Sequence, residues 1–283
     1  MALSRIDAHH HLWQYNDRDY VWMSADMRIL RRDFLLPELE DTLRCSGIDG
    51  AITVQARQSI EETRWLLGLA QMSGVIRGVV GWVPLVDPDA ARSLDEFAAA
   101  AKLKAVRHVL HDEPDDDYML RDDFNRGIAL LKTYGLVYDI LIFERHLPQT
   151  LRFVDAHPNQ TFVLDHIAKP RILERKLSPW RERMRELALR ENVYCKISGM
   201  VTEADWHSWT PKDLEPYFEI ALSAFEPKRL MFGSDWPVLN LAANYATWVE
   251  TVRCSTAKLS EQEQSRIWGG TAVEAYRLSP QGS

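Results

Sequence analysis

Residues 9 to 11 are three consecutive histidines in a chain that has only nine. An imidazole ligates metals through a lone pair and exchanges protons near neutral pH, so such a run raises both chemistries. Side chains alternate along an extended strand. His9 and His11 therefore share one direction and His10 takes the other. Further along the chain, other chemically competent residues close short apolar runs. They are Gln55, Arg107-His108, Asp165-His166, Lys196 and Ser198, and Ser234-Asp235-Trp236. A carboxylate among imidazoles can take a proton from water while a neighbour polarises a carbonyl. The same set can hold a zinc ion. Asp165 reads as a supporting partner or a helix cap, and His111, His146, His157 and His207 read as solvated.

The runs that carry these residues are regular. They are Ile6–His9, 50–55, 77–84, 104–109, 136–141, 160–165, 193–198 and 230–235. They are short, rich in β-branched and aromatic residues, and continuous rather than alternating, as expected of strands buried on both faces. Helical patterns separate them, at 60–73, 87–101, 122–134 and 179–190. Eight strands alternating with helices predict an α/β fold, a single (β/α)8 TIM barrel spanning 1–283. Chemistry in that fold sits at the C-terminal ends of strands, where the residues above fall. A long stretch after strand one, up to a helix beginning near Pro37, shows no period. It carries Trp13, Tyr20 and Trp22 and reads as a loop insertion over the mouth. Residues 260 to 276 read as a closing helix with Ser260 and Glu263 as a capping box.

Composition excludes several classes. The net charge of -7 and the lack of basic runs argue against nucleic acid. No signal-peptide h-region and no long apolar span occur, so the expectation is a cytoplasmic protein without a membrane partner. The three cysteines are far apart and form no CxxC, so they read as small buried apolar residues. No GxGxxG, phosphate-binding loop or GxSxG elbow is present. The ten tryptophans include some in loops that could line a pocket for a ring-shaped ligand.

Asp7-Ala-His9-His10-His11, His166 and Gly233-Ser234-Asp235-Trp236-Pro237 together resemble the amidohydrolase superfamily. The branch is amidohydrolase-related family 2, which includes sugar-lactone and pyrone-dicarboxylate lactonases. His11-Leu-Trp13, Tyr20-Val-Trp22 and Gly233-Ser-Asp-Trp-Pro-Val238 are most similar to its L-fucono-1,5-lactonase-like sugar lactonases. The resemblance covers the whole chain. It implies a hydrolase of carbohydrate metabolism and one divalent metal, zinc first, held by His9, His11, His166 and Asp235. It also implies that some lactonases of the branch work without metal. No lysine ends strand four or five to bridge two metals, and strand seven offers Lys196 and Ser198 where a histidine would stand.

The expected reaction is the opening of a sugar lactone to its aldonic acid. Asp235 is the general base, and His9, His11 and His166 polarise the carbonyl directly or through one metal. Arg107, His108, Trp22, Gln55 and Lys196 are the expected substrate-binding residues. Few lysines or arginines end strands, which favours a neutral sugar lactone over a dicarboxylate. The alternatives are a pyrone-dicarboxylate lactonase, a metal-dependent decarboxylase or hydratase of an aromatic acid on the same scaffold, and a silent ligand-binding barrel. The readings leave room for a homo-oligomer.

Overall fold

The computed structural model describes residues 4–279. Eight strands run β1 (Ile6–His10), β2 (Gly50–Val54), β3 (Ile76–Gly81), β4 (Leu103–Val109), β5 (Val137–Leu141), β6 (Phe162–Leu164), β7 (Val193–Ile197) and β8 (Leu230–Phe232). Each pairs in parallel with the next. The sheet closes where β8 returns to β1: the Asp235 amide donates to the His9 carbonyl at 2.7 Å, and the His11 amide to that of Trp236 at 2.7 Å. The expected (β/α)8 barrel is formed. Helices α1 (Leu36–Ser46), α2 (Ile60–Met72), α3 (Ala90–Phe97), α4 (Asp122–Leu131), α5 (Leu147–Ala156), α6 (Trp180–Leu187), α7 (Pro211–Arg229) and α8 (Tyr245–Ser255) surround it. None of the described helices is long and apolar enough to cross a membrane.

The closing segment differs from the single helix expected. Ser260 and Glu263 do form a capping box, but the helix breaks at Arg266–Gly270 and resumes at Thr271–Ala275. Gly269 lies against the first strand's lead-in. A Cβ there would stand 2.0 Å from the Ser4 carbonyl oxygen, so only glycine lets the segment dock. The docked end plugs the barrel. Ile6, Ala8, Ile52, Val54, Val80, Ala105, Val137, Val163 and Met231 form a dry floor with Ala272, Ala275 and Tyr276.

The long segment between β1 and α1 is folded. Trp13 and Phe34 exchange two backbone hydrogen bonds of 3.0 Å. Trp13, Tyr20, Met23, Leu30 and Phe34 are buried around that bridge. The segment is tied to the β2–α2 connection: Arg57 pairs with Asp19 and lies over the Tyr20 ring, while Glu62 accepts the amides of Ala56 and Arg57 at 3.0 and 2.8 Å. Two cysteine expectations are corrected, since Cys45 and Cys254 are exposed and only Cys195 is buried.

Candidate active site

The first two histidines of the site owe their aim to a bulge. Between Asp7 and His10, β1 carries one residue more than the facing stretch of β2, where Ala51 and Thr53 are the partners. A bulge of this kind re-aims side chains next to it. Ala8 joins the floor and His9 also meets side chains of the barrel interior, whereas His10 turns aside to Thr53, with Nε2 2.9 Å from its hydroxyl.

Four expected residues converge. His9 Nε2 lies 3.2 Å from His11 Nε2. The Asp235 Oδ1 atom faces the Nε2 atoms of His11, His9 and His166 at 3.4, 3.7 and 3.9 Å. All four residues are buried. His11 is fixed by Nδ1, which donates to the Val54 carbonyl at 2.8 Å. His166 is fixed by Nδ1 against the Ser198 hydroxyl at 2.8 Å. Gly199 makes room for that ring, because a Cβ there would come within 2.6 Å of Nδ1, and its φ of +62° suits glycine.

Below them lies an ionic layer. The Lys196 ammonium contacts Asp139 at 2.6 Å, Asp165 at 2.9 Å and His9 Nδ1 at 3.2 Å. The Arg107 guanidinium donates to Asp165 at 2.9 Å and reaches His9 Nε2 at 3.4 Å. Gln55 supports it, its side-chain oxygen accepting from Nη2 at 3.3 Å. The Tyr276 hydroxyl rises from the floor to donate to Asp139 at 2.8 Å.

Burial holds His9 and His166 well below the ordinary imidazole range, so both rings are neutral. Burial alone would push Asp235 up. The facing His166, the close contact with His11 and the nearby Lys169 outweigh it and hold the carboxyl below its usual range. Asp235 is therefore a carboxylate at neutral pH, in a position to accept a proton.

The donor set fits one cation. His9, His11 and Asp235 each offer a ligand atom within 4.8 Å of the others. With His11 protonated at Nδ1 and His9 donating Nδ1–H toward Asp165 at 3.3 Å, two imidazole lone pairs face each other at 3.2 Å. Such lone pairs repel unless a positive charge lies between them, and nitrogen and oxygen donors of this kind suit zinc. His9, Asp165 and His166 form a second cluster of ligand atoms. There the cation is already supplied, because Lys196 and Arg107 sit on the Asp165 carboxylate.

Some expected site residues lie elsewhere. His108 is not brought to the cluster: neighbouring strand residues face opposite sides, and its ring stacks on Tyr118 and meets Phe124 of α4 outside the barrel. Lys196 is fully enclosed beneath His9 and has no surface to offer a substrate. Trp22 is half-buried and packs edge-on against Trp13, which in turn lies 6.3 Å from the His11 ring. His146 is buried against Asp116 rather than solvated. Lys169, Glu203 and Tyr276 were not anticipated. Lys169 stands three residues after His166, but nothing in Ile167 and Ala168 signals the turn that aims it; Tyr276 gave no signal either, because its partner Asp139 is remote in sequence.

The match to the amidohydrolase family model runs over residues 6–278. The chain belongs to the amidohydrolase family. It is 43% identical to an L-fucono-1,5-lactonase of Burkholderia multivorans, over 98% of this chain and 97% of that protein. An L-fucono-1,5-lactonase of Burkholderia ambifaria is 36% identical, over 97% and 96%. A crystal structure of a Burkholderia multivorans amidohydrolase with bound zinc superposes with a TM-score of 0.95 at 42% identity, covering 98% of this chain and all of that one.

Proposed function

We propose that this protein is a lactonase that opens a sugar lactone, an aldono-1,5-lactone such as L-fucono-1,5-lactone, to the aldonic acid. The observation that carries the reading is the buried Asp235 carboxylate facing three buried imidazoles at 3.4 to 3.9 Å. The likeness to two L-fucono-1,5-lactonases over nearly the full chain supports the substrate class.

A lactone needs an attacking water, a polarised carbonyl and a proton for the leaving ring oxygen. Asp235 accepts a proton from water as its oxygen bonds to the carbonyl carbon. The carbon–ring oxygen bond then breaks and Asp235 returns that proton to the departing alkoxide. His166 accepts from the Ser198 hydroxyl at Nδ1, which leaves Nε2–H beside Asp235 to donate to the carbonyl oxygen. His9 and His11 turn Nε2 lone pairs to the same point and act on the carbonyl through the ion they would hold. A divalent ion held by His9, His11 and Asp235 supplies Lewis acidity toward the carbonyl when bound. Arg107, turned inward and occupied by Asp165 and Gln55, fixes Asp165 and through it His9. A pyrone-dicarboxylate would need two free cationic clamps, whereas Lys196 is enclosed and both Nη groups of Arg107 are taken.

The test is acid release from a panel of aldono-1,4- and 1,5-lactones, with the protein as purified, after chelation, and after zinc is returned. Turnover of deoxyhexono-1,5-lactones supports the reading. A folded protein that turns over none of the panel in any metal state rules it out.

A further inference from the structure

After β6 the backbone enters an unusual turn. His166, Ile167, Ala168 and Lys169 all have positive φ, at 53, 46, 61 and 46°. Left-handed geometry costs an L-residue roughly 1–2 kcal/mol, and non-glycine residues normally visit it singly. Four in succession persist only where the surroundings over-determine them, and such strain concentrates at functional sites. Here the Lys169 amide closes on the His166 carbonyl at 2.8 Å. The Trp180 indole holds the Ile167 carbonyl at 2.8 Å.

The turn has a geometric consequence. In a single helical turn, residues three apart lie on one side and those between them on the other. Ile167 and Ala168 are fully buried in the apolar core. His166 and Lys169 share the opposite side, and there His166 Nε2 faces Asp235 Oδ1 at 3.9 Å. The Lys169 field accordingly acts on Asp235 and His166. The ammonium is held by Glu203, at 2.8 Å, with the lysine side chain 15% exposed.

Three cations surround the reacting point, and they differ in what they can still bind. Lys196 is enclosed and spent on Asp139 and Asp165. Arg107 is spent on Asp165 and Gln55, and its Nε is buried. An ammonium has three N–H donors. Lys169 gives one to Glu203 and, unlike the other two, its side chain stays partly exposed.

Resting on the lactonase reading above, we infer that Lys169 contacts the substrate. Its ammonium binds the lactone carbonyl oxygen, which becomes the oxyanion during attack and then one oxygen of the product carboxylate. Because negative charge arises only after attack, the contact is stronger in the transition state than in the neutral substrate, and stronger again in the product.

The experiment compares wild type with Lys169→Met and Lys169→Arg. Lactone hydrolysis gives kcat and KM, and calorimetric titration with L-fuconate gives product binding without turnover. Loss of one oxyanion donor costs about 10²- to 10³-fold in kcat, so Lys169→Met is expected to fall by that amount with little change in KM and to bind L-fuconate at least about tenfold more weakly. Lys169→Arg keeps the charge and is expected to restore both to within roughly tenfold. If Lys169→Met fails to fold, wild type alone decides: L-fuconate must compete with substrate better than neutral L-fucitol. Lys169→Met within about threefold of wild type in kcat and in L-fuconate affinity, or equal competition by L-fucitol, overturns the assignment. A wild type that hydrolyses no lactone while Lys169→Met still weakens L-fuconate binding would instead remove the lactonase reading and keep the anion contact.

Discussion

Along β4, β5, β6 and β7 the interior of the barrel changes character within two positions. Ala105, Val137, Val163 and Tyr194 belong to or pack on the apolar floor. Arg107, Asp139, Asp165 and Lys196, two residues on, form the ionic layer above it. The two layers share a face, since strand residues two apart point the same way. The floor, plugged by the closing segment, keeps water from reaching the charges from below. The charges then satisfy one another: two carboxylates, Asp139 and Asp165, lie against two cations, Lys196 and Arg107. The difference teaches a division of labour. The floor closes the barrel, the ionic layer holds His9 from beneath, and the proposed chemistry lies above at Asp235.

That division is broken most directly at the top. Asp235→Asn keeps shape and hydrogen-bonding groups but removes the proposed base. Lactone turnover is expected to fall by about 10³-fold or more, within the range assigned to general acid–base catalysis. Urea denaturation is expected to show no large loss of stability. Turnover that survives in Asp235→Asn would move the base elsewhere.

Lys196→Met tests the middle layer. It leaves Asp139 and Asp165 facing each other in a dry interior without their shared cation. Breaking a buried pair in this way costs about 3–5 kcal/mol. The urea midpoint should drop accordingly, and activity should fall with it because His9 loses its support. A variant as stable as wild type would show that the layer is tuned for chemistry and not for holding the fold.

A carboxylate outside the layer sharpens the contrast. Glu62 is buried at the joint between the long segment and β2–α2, where Arg57 faces it at 3.5 Å. Burial pushes its carboxyl up to about 7, against the amide hydrogen bonds and Arg57, which pull it down. The folded state therefore holds the Glu62 proton more tightly than the unfolded state does. The stability this contributes is fully present below about pH 4.5 and is lost as pH rises through about 7, to the extent of roughly 3 kcal/mol. Glu62→Gln should flatten that part of the pH–stability curve between pH 5 and pH 8. An unchanged slope would mean that the carboxylate is as comfortable there as in water.

Much of this was legible in the sequence because it depends on local pattern. The eight apolar runs fall within a few residues of the strands, and their polar ends mark His9, His11, His166 and Asp235. Parity along a strand was less safe. Alternation pairs His9 with His11, but counted from the floor residues Ile6 and Ala8 it would have sent His10 inward. The extra residue in β1 reverses this, and no residue type there announces a bulge. The same alternation, applied between Arg107 and His108, would have turned His108 away. Lys169 was missed for another reason: its aim depends on four left-handed residues, and Ile167 and Ala168 carry none of the glycine or asparagine that normally signals such a turn. Tyr276 and Asp139 meet only because the barrel brings the chain's end to its middle.

The smallest effect belongs to the floor. Ile52 is fully buried among Ile6, Val54, Val80 and Met231. Ile52→Val removes one methylene from a close-packed layer, which costs about 0.5–1.5 kcal/mol. The loss should appear in the urea midpoint with kcat and KM unchanged, because the floor touches the reacting groups only through the ionic layer, and that layer is fixed by its own pairs. If kcat instead falls in proportion to stability, the packing of Ile52 is transmitted upward to His9. The floor and the ionic layer would then act as one unit, and the barrel interior would have two parts where the residue types suggest three.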